Sequence, residues 1–207
     1  VIAYLALFTL ISGVALISIS VGTTGQYIYL LVMGLTAITA AITYTVGKKA
    51  YGYYGLGDVF VFLFFGLMAV VTTFFILTQT ISSIAWIAGA SMGFFATMVL
   101  HINNTRDLKS DQENNKNTIA VKLGFQGSRI YHICLAGLAS LGLLRILVKY
   151  NTPFVAIGLF LLLILLHQFL NLEEEDKEGY NQQLKFTSLT AAFIALSLFL
   201  HAVFQYL

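Results

Sequence analysis

The residues best equipped for chemistry are Asn103, Asp107 and Asp111, which recur at intervals of four within HINNTRDLKSDQENNKNTIAVKLG, residues 101 to 124. On a helix that spacing puts three oxygen-bearing side chains on one face. Mg²⁺ prefers oxygen ligands, keeps several waters, and is typically held by one or two carboxylates plus substrate phosphates. Such a face therefore offers half of a bridge whose other half is a phosphorylated ligand. Arg106, Lys109, Lys116 and Lys122 surround it and could pair with phosphate oxygens. The same residues also suit a solvated helix end, with salt bridges joining Asp107 and Asp111 to Arg106 and Lys109. Spacing alone divides the two readings evenly.

A second polar stretch, YTVGKKAYGYYGLGD, residues 44 to 58, sets Tyr44 and Lys48 four apart. Gly52, Gly55 and Gly57 then precede Asp58. Glycine lets a backbone turn sharply or approach a ligand closely, and Lys48 and Lys49 are cations a diphosphate could use. Taken alone, the stretch reads as a positively charged loop with Tyr51, Tyr53 and Tyr54 at headgroup depth.

The elements that must position these residues are membrane helices. The chain is 58% hydrophobic and 10% charged, with a mean hydropathy of +0.86, whereas about a quarter of the residues of a soluble domain are charged. Seven apolar segments are long enough to cross a bilayer: about 2 to 20, 26 to 45, 58 to 78, 81 to 102, 128 to 149, 153 to 171 and 185 to 206. They are too long, and too rich in Leu, Ala, Phe and Gly, for the strands of a membrane barrel. The fold expected is an all-α polytopic helix bundle, one domain over residues 1 to 207.

The connections divide by charge. Those after the first, third and fifth segments are short. Those after the second, fourth and sixth hold all nine acids and nine of the 11 Lys and Arg, leaving Arg145 and Lys149 on the other side. That bias makes the charged side cytoplasmic and, with seven segments, puts the carboxyl terminus outside. A net charge of +2 without a basic stripe implies no nucleic-acid partner. The single Cys134 rules out an internal disulfide, and GASMG, Gly89 to Gly93, reads as a small-residue helix contact. The opening VIAYLALFTL has no basic n-region, so it does not read as a signal peptide.

NNTRDLKSDQENNKNTIAVKLG resembles the second aspartate-rich motif of the UbiA superfamily of intramembrane aromatic prenyltransferases. YGYYGLGDVFVFLFFGLMAV resembles the corresponding segment of that family's menaquinone branch. The resemblance implies a membrane helix bundle that moves a polyprenyl group from an allylic polyprenyl diphosphate to an aromatic acceptor. For this branch the acceptor is 1,4-dihydroxy-2-naphthoate, with loss of CO₂ and diphosphate, in menaquinone biosynthesis; 4-hydroxybenzoate is the alternative. It implies Mg²⁺ held by Asp107 and Asp111 with Asn103 on the same face, and substrate contacts from Arg106, Lys48, Tyr44, Lys116 and Asp58. Tyr44 and Lys48 match the family's Y-x-x-x-K element, although the branch varies at the Lys. It also implies the inner (cytoplasmic) membrane, membrane lipid as surroundings, and cytoplasmic motif loops. The family has nine helices and an N-D-x-x-D motif after its second. This sequence shows seven helices and no such motif, so the expectation is a member lacking its first two helices, whose isolated chain binds diphosphate weakly and lacks transferase activity by itself.

Two other classes are compatible with parts of the sequence. His101, His132 and His167 lie toward the cytoplasmic ends of helices, as axial ligands of a haem-bearing electron carrier would, although a lone His near an interface is more often a hydrogen-bonded structural residue. A transporter would need charges along a path, yet no acid lies mid-membrane, and EEEDKE, residues 173 to 178, reads as a solvated loop.

Overall fold

The computed structural model describes residues 2–47 and 50–205, and among these no strand occurs. The elements are α1 (Ile2–Ser20), α2 (Thr24–Thr45), a 3₁₀ turn (Tyr51–Tyr54), α3 (Gly57–Thr78), α4 (Ser83–Arg106), a short α5 (Leu108–Glu113), α6 (Ile119–Tyr150), α7 (Pro153–Asn171) and α8 (Lys177–Gln205). All seven expected segments are helical. Six of them, α2 to α4 and α6 to α8, are long and apolar enough to span a membrane, whereas the apolar stretch described in α1, Leu7–Ile19, is shorter. The protein is a multi-pass membrane protein.

Hydropathy locates what lies in lipid rather than what is helical. So α6 opens with a short turn at Ile119 that breaks at Gly124 (φ 67°, ψ 178°) before the spanning part runs on, and α8 opens at Lys177 rather than near 185. The helix starts are set locally. Thr23, Ser82 and Thr118 cap α2, α4 and α6 by accepting from Gln26 N, Ile84 N and Val121 N, each at 3.3 Å, which satisfies donors that the first turn leaves without partners. Pro153 opens α7, where its missing N–H costs nothing.

Helix α4 is the centre of the bundle, packed on α3, α6 and α8. Its inner face joins Phe95 and Met98 to Leu135, Ala139 and Leu143 of α6 and to Ile194 of α8. Against α3 it presents small residues instead. A Cβ on Gly66 would lie 2.6 Å from the Gly89 carbonyl and collide with the Gly93 Cα, so the GASMG stretch is a close helix contact, as its spacing predicts. Around this crossing α3 widens into a π-helix over Phe62–Met68, the form a helix takes when it carries an extra residue in its turn.

Helix α2 packs on α1 and on the 3₁₀ turn, and between α2 and α3 lies an apolar cavity of about 740 Å³. A second space of about 610 Å³ shares Met33, Phe64, Met68 and Thr72 with it and runs on to Trp86. The charged connections meet at one end of the bundle. Lys109 reaches Glu175 at 2.6 Å, and the Asn117 amide donates to the Tyr53 carbonyl at 2.9 Å. At the other end the Gln26 and Gln79 side chains are hydrogen-bonded.

Candidate functional site

The helix carrying Asn103, Asp107 and Asp111 does not run straight through. Asp107 leaves helical geometry at φ −97° and ψ 11°, and α5 follows it. The hydrogen bonds nevertheless keep their four-residue step, Asp107 N to Asn103 O at 3.1 Å and Asp111 N to Asp107 O at 2.8 Å. The three side chains therefore keep a common register across the bend.

The Arg106 guanidinium organises the first part of this face. Its Nε and Nη2 donate to the two oxygens of Asp107, each at 2.9 Å; Nη2 also donates to Asn103 Oδ1 at 2.8 Å, and Nη1 to Asn181 Oδ1 at 2.7 Å. This forked, charge-assisted geometry is the strong form of the interaction. It holds the Asp107 carboxyl below the ordinary carboxylate range, and the nearby charges of Lys116 and Lys177 act in the same direction.

The second part turns on Lys116. After α5 the chain reverses through Asn115, at φ 55°, and Lys116 Nζ returns to both oxygens of Asp111 at 2.9 and 3.1 Å. Expected pairing of Asp111 with Lys109 does not occur, because Lys109 points to Glu175. The charges of Lys116, Asp58 and Asp111 all act on the Tyr44 hydroxyl. Tyr44 is held there by the glycines: a Cβ on Gly52 would lie 2.7 Å from the Tyr44 carbonyl, and one on Gly57 would lie 3.3 Å from its ring. Gly55, at φ +79°, lets the Tyr54 carbonyl accept from Lys122 Nζ at 2.8 Å. Lys48 falls outside the described residues.

From Tyr44 a row of rings leads away from these charges. Tyr44 meets Tyr51 edge-on at 5.4 Å, Tyr51 stacks on Phe60 at 4.0 Å, and Phe60 stacks on Phe64 at 6.0 Å between centroids. All four line the larger apolar cavity. A charged surface thus passes directly into an aromatic and aliphatic channel.

A model of the UbiA prenyltransferase family matches residues 2–196. The chain belongs to that family. The 1,4-dihydroxy-2-naphthoate octaprenyltransferase of Escherichia coli (strain K12) is 43% identical over 125 residues, 60% of this chain and 41% of that protein. The protein of the same name from Haemophilus influenzae is 44% identical over 131 residues, 63% of this chain and 42% of that protein. UbiA prenyltransferase domain-containing protein 1 of Dictyostelium discoideum is 33% identical over 162 residues, 76% of this chain and 48% of that protein. The chain spans about two fifths of the length of the two bacterial relatives. No solved structure matches it significantly.

In this UbiA-family chain the donors on the charged face are oxygens, from Asn103, Asp107 and Asp111, which suits a hard cation. Among the described residues no three His, Cys, Asp or Glu side chains converge on one point. That donor set fits Mg²⁺ shared with phosphate oxygens better than an all-protein cage.

Two residues at the site carry no sequence signal. Asn181 comes from α8 and joins Arg106; Tyr131 comes from α6 and lies against the Asp58 carboxyl group. The histidines are packing residues: His101 Nε2 donates to the Ser128 carbonyl at 3.0 Å, His132 stacks on Phe169 at 3.8 Å, and His167 is bonded to Asn171 at 3.2 Å.

Proposed function

We propose that the protein transfers a polyprenyl group from an allylic polyprenyl diphosphate to 1,4-dihydroxy-2-naphthoate, with loss of diphosphate and CO₂, as a step of menaquinone biosynthesis. The observation that carries this reading is the direct passage from the Asn103, Asp107, Asp111 and Lys116 face into a ring-lined apolar cavity. A diphosphate ester of a long hydrocarbon needs those two surroundings side by side. The names of the bacterial relatives support the acceptor.

Asp107, Asp111 and Asn103 would hold Mg²⁺, which when bound neutralises charge gathering on the departing diphosphate. Lys116 and Arg106 would turn from their carboxylates toward phosphate oxygens. Tyr44 would face the reacting carbon, because a ring face stabilises a cation where water would capture it. Tyr51, Phe60 and Phe64 would line the path of the chain. The charged end of the bundle would face the cytoplasm, in the cytoplasmic membrane, following the Lys and Arg bias.

The test supplies membranes containing the full-length protein with Mg²⁺, a polyprenyl diphosphate and either 1,4-dihydroxy-2-naphthoate or 4-hydroxybenzoate, and resolves products by mass. A prenylated, decarboxylated naphthoquinol is expected. Product from 4-hydroxybenzoate alone would overturn the acceptor, and no product from either would overturn the enzymatic reading.

A further inference from the structure

Asp58 stands apart from the other acids of the charged end. It lies in the first turn of α3 and is 3% exposed, its Oδ2 has no hydrogen-bond partner, and none of the ion pairs among the described residues includes it. Two phenols act on it, Tyr131 from α6 and Tyr44 from α2, and the Tyr44 hydroxyl lies 3.7 Å from the Cβ position of the adjacent Gly57. Helix α4 contributes groups that do not titrate: Thr97, whose hydroxyl donates to the Asp58 carbonyl at 3.4 Å, and Leu100, which packs on the neighbouring Gly57.

Those surroundings decide what Asp58 can serve. A phosphate needs cations and a hard metal needs several anionic oxygens, and no Lys or Arg among the described residues pairs with Asp58. A carboxyl oxygen among phenols, buried without a donor, is matched instead by a neutral O–H group. Tyr44 both covers Gly57 and lines the apolar cavity, so Asp58 follows directly on a residue packed against that cavity's wall.

Resting on the transfer reaction proposed above, we infer that Asp58 accepts the proton of the aromatic acceptor's ring hydroxyl, with Tyr131 as its positioning residue. The acceptor's O–H bond breaks, its proton passes to Asp58 Oδ2, and its electron pair moves through the ring to the carbon that bears the carboxylate. That carbon bonds to the allylic C1 as the C1–O bond breaks and its pair leaves with diphosphate. The product of this step is a β-keto carboxylate. It releases CO₂, the pair of the broken C–C bond moves to the ring oxygen, and Asp58 returns the proton to give the quinol.

Asp58→Asn and Tyr131→Phe, each in the membrane-embedded protein, test this. Two quantities are measured: transfer to 1,4-dihydroxy-2-naphthoate as a function of pH, and thermal stabilisation by Mg²⁺ with geranylgeranyl thiolodiphosphate, which binds without being cleaved. Asp58→Asn is expected to lower kcat by about 100-fold at neutral pH, to leave the thiolodiphosphate stabilisation unchanged, and to regain rate as rising pH ionises the acceptor unaided. Tyr131→Phe is expected to lower kcat by about tenfold, a modest part of a general-base effect, without changing KM for the diphosphate. A wild-type rate in Asp58→Asn, a deficit that does not respond to pH, or loss of the thiolodiphosphate stabilisation in a folded variant would overturn the assignment. If Asp58→Asn fails to fold, Tyr131→Phe decides, and an unchanged kcat there overturns it. Failure of the wild-type protein to prenylate the naphthoate is a separate result, which removes the transfer reaction itself and this role with it.

Discussion

Lys116 holds both oxygens of the Asp111 carboxylate across a reversal of the chain, at 2.9 and 3.1 Å. It also acts on the Asp107 carboxyl and on the Tyr44 hydroxyl. One ammonium therefore pairs with one carboxylate of the face that would meet a diphosphate and acts on the other. Lys116→Gln should raise KM for the polyprenyl diphosphate about tenfold, roughly the weight of one charge-assisted contact, while kcat falls less. Steady-state kinetics with the diphosphate as varied substrate would show this, and a change confined to the acceptor's KM would contradict it.

Asp107→Asn and Asp111→Asn should each lower transfer by about 100-fold or more, because a neutral amide keeps the shape but loses the charge that supports the leaving group. Glu113→Gln changes an exposed acid that makes no ion pair among the described residues and should stay within about twofold. Equal damage from Glu113→Gln would show that the three-residue face is not the functional one.

The Arg106 pair predicts a pH dependence. Because the guanidinium lowers the Asp107 carboxyl, the pair contributes its full stability above the ordinary carboxylate range, near pH ~4. That contribution disappears as pH falls through the lowered value. Arg106→Gln should thus destabilise the protein at pH 7 by less than about 1 kcal/mol for a partly exposed pair, read as a lower melting temperature in detergent. The difference from wild type should close in acid, and a difference that grows in acid would reverse the sign.

Ala37 of α2 faces the larger cavity. Ala37→Phe should bar long polyprenyl diphosphates while short ones still react, read as a ratio of kcat/KM values. Equal losses for both lengths would mean the hydrocarbon runs elsewhere.

Gly66→Ala should cost about 1–3 kcal/mol through overpacking, since its new methyl meets α4 backbone. Gly137→Ala, with nothing within 4 Å, should leave the melting temperature unchanged or raise it. Melting of the two purified variants would separate a tight crossing from a general intolerance of side chains.

The Asp107 and Asp111 positions were legible in the sequence because a helix converts a four-residue spacing into a shared face, and the hydrogen bonds hold that register even where the backbone bends. Lys109 was not legible in the same way. Two acids lie near it in sequence, yet tertiary packing delivers Glu175 from another connection. Asn181 sits in the polar first turns of α8 and Tyr131 in an ordinary apolar stretch of α6, so their role emerges only once α6 and α8 are laid beside α4. The ring row was half visible: the aromatic residues can be counted, but which of them line a channel depends on the gap between α2 and α3.

The π-helical segment of α3 begins between Asp58 and Gly66 and contains the Gly66 seat, and its first part fixes how those two points are phased. Each residue of an α-helix advances the chain by about 100°. Losing one residue from Phe62–Phe65 would let the helix tighten, but with Gly66 pinned to α4 the rotation would fall on the other end. Asp58 would then swing away from Tyr131, and Tyr44 would lose the glycine beneath it. This stretch can accept substitutions far more readily than it can accept a change of length, and a single-codon deletion there would do its damage some eight residues upstream, at the carboxylate.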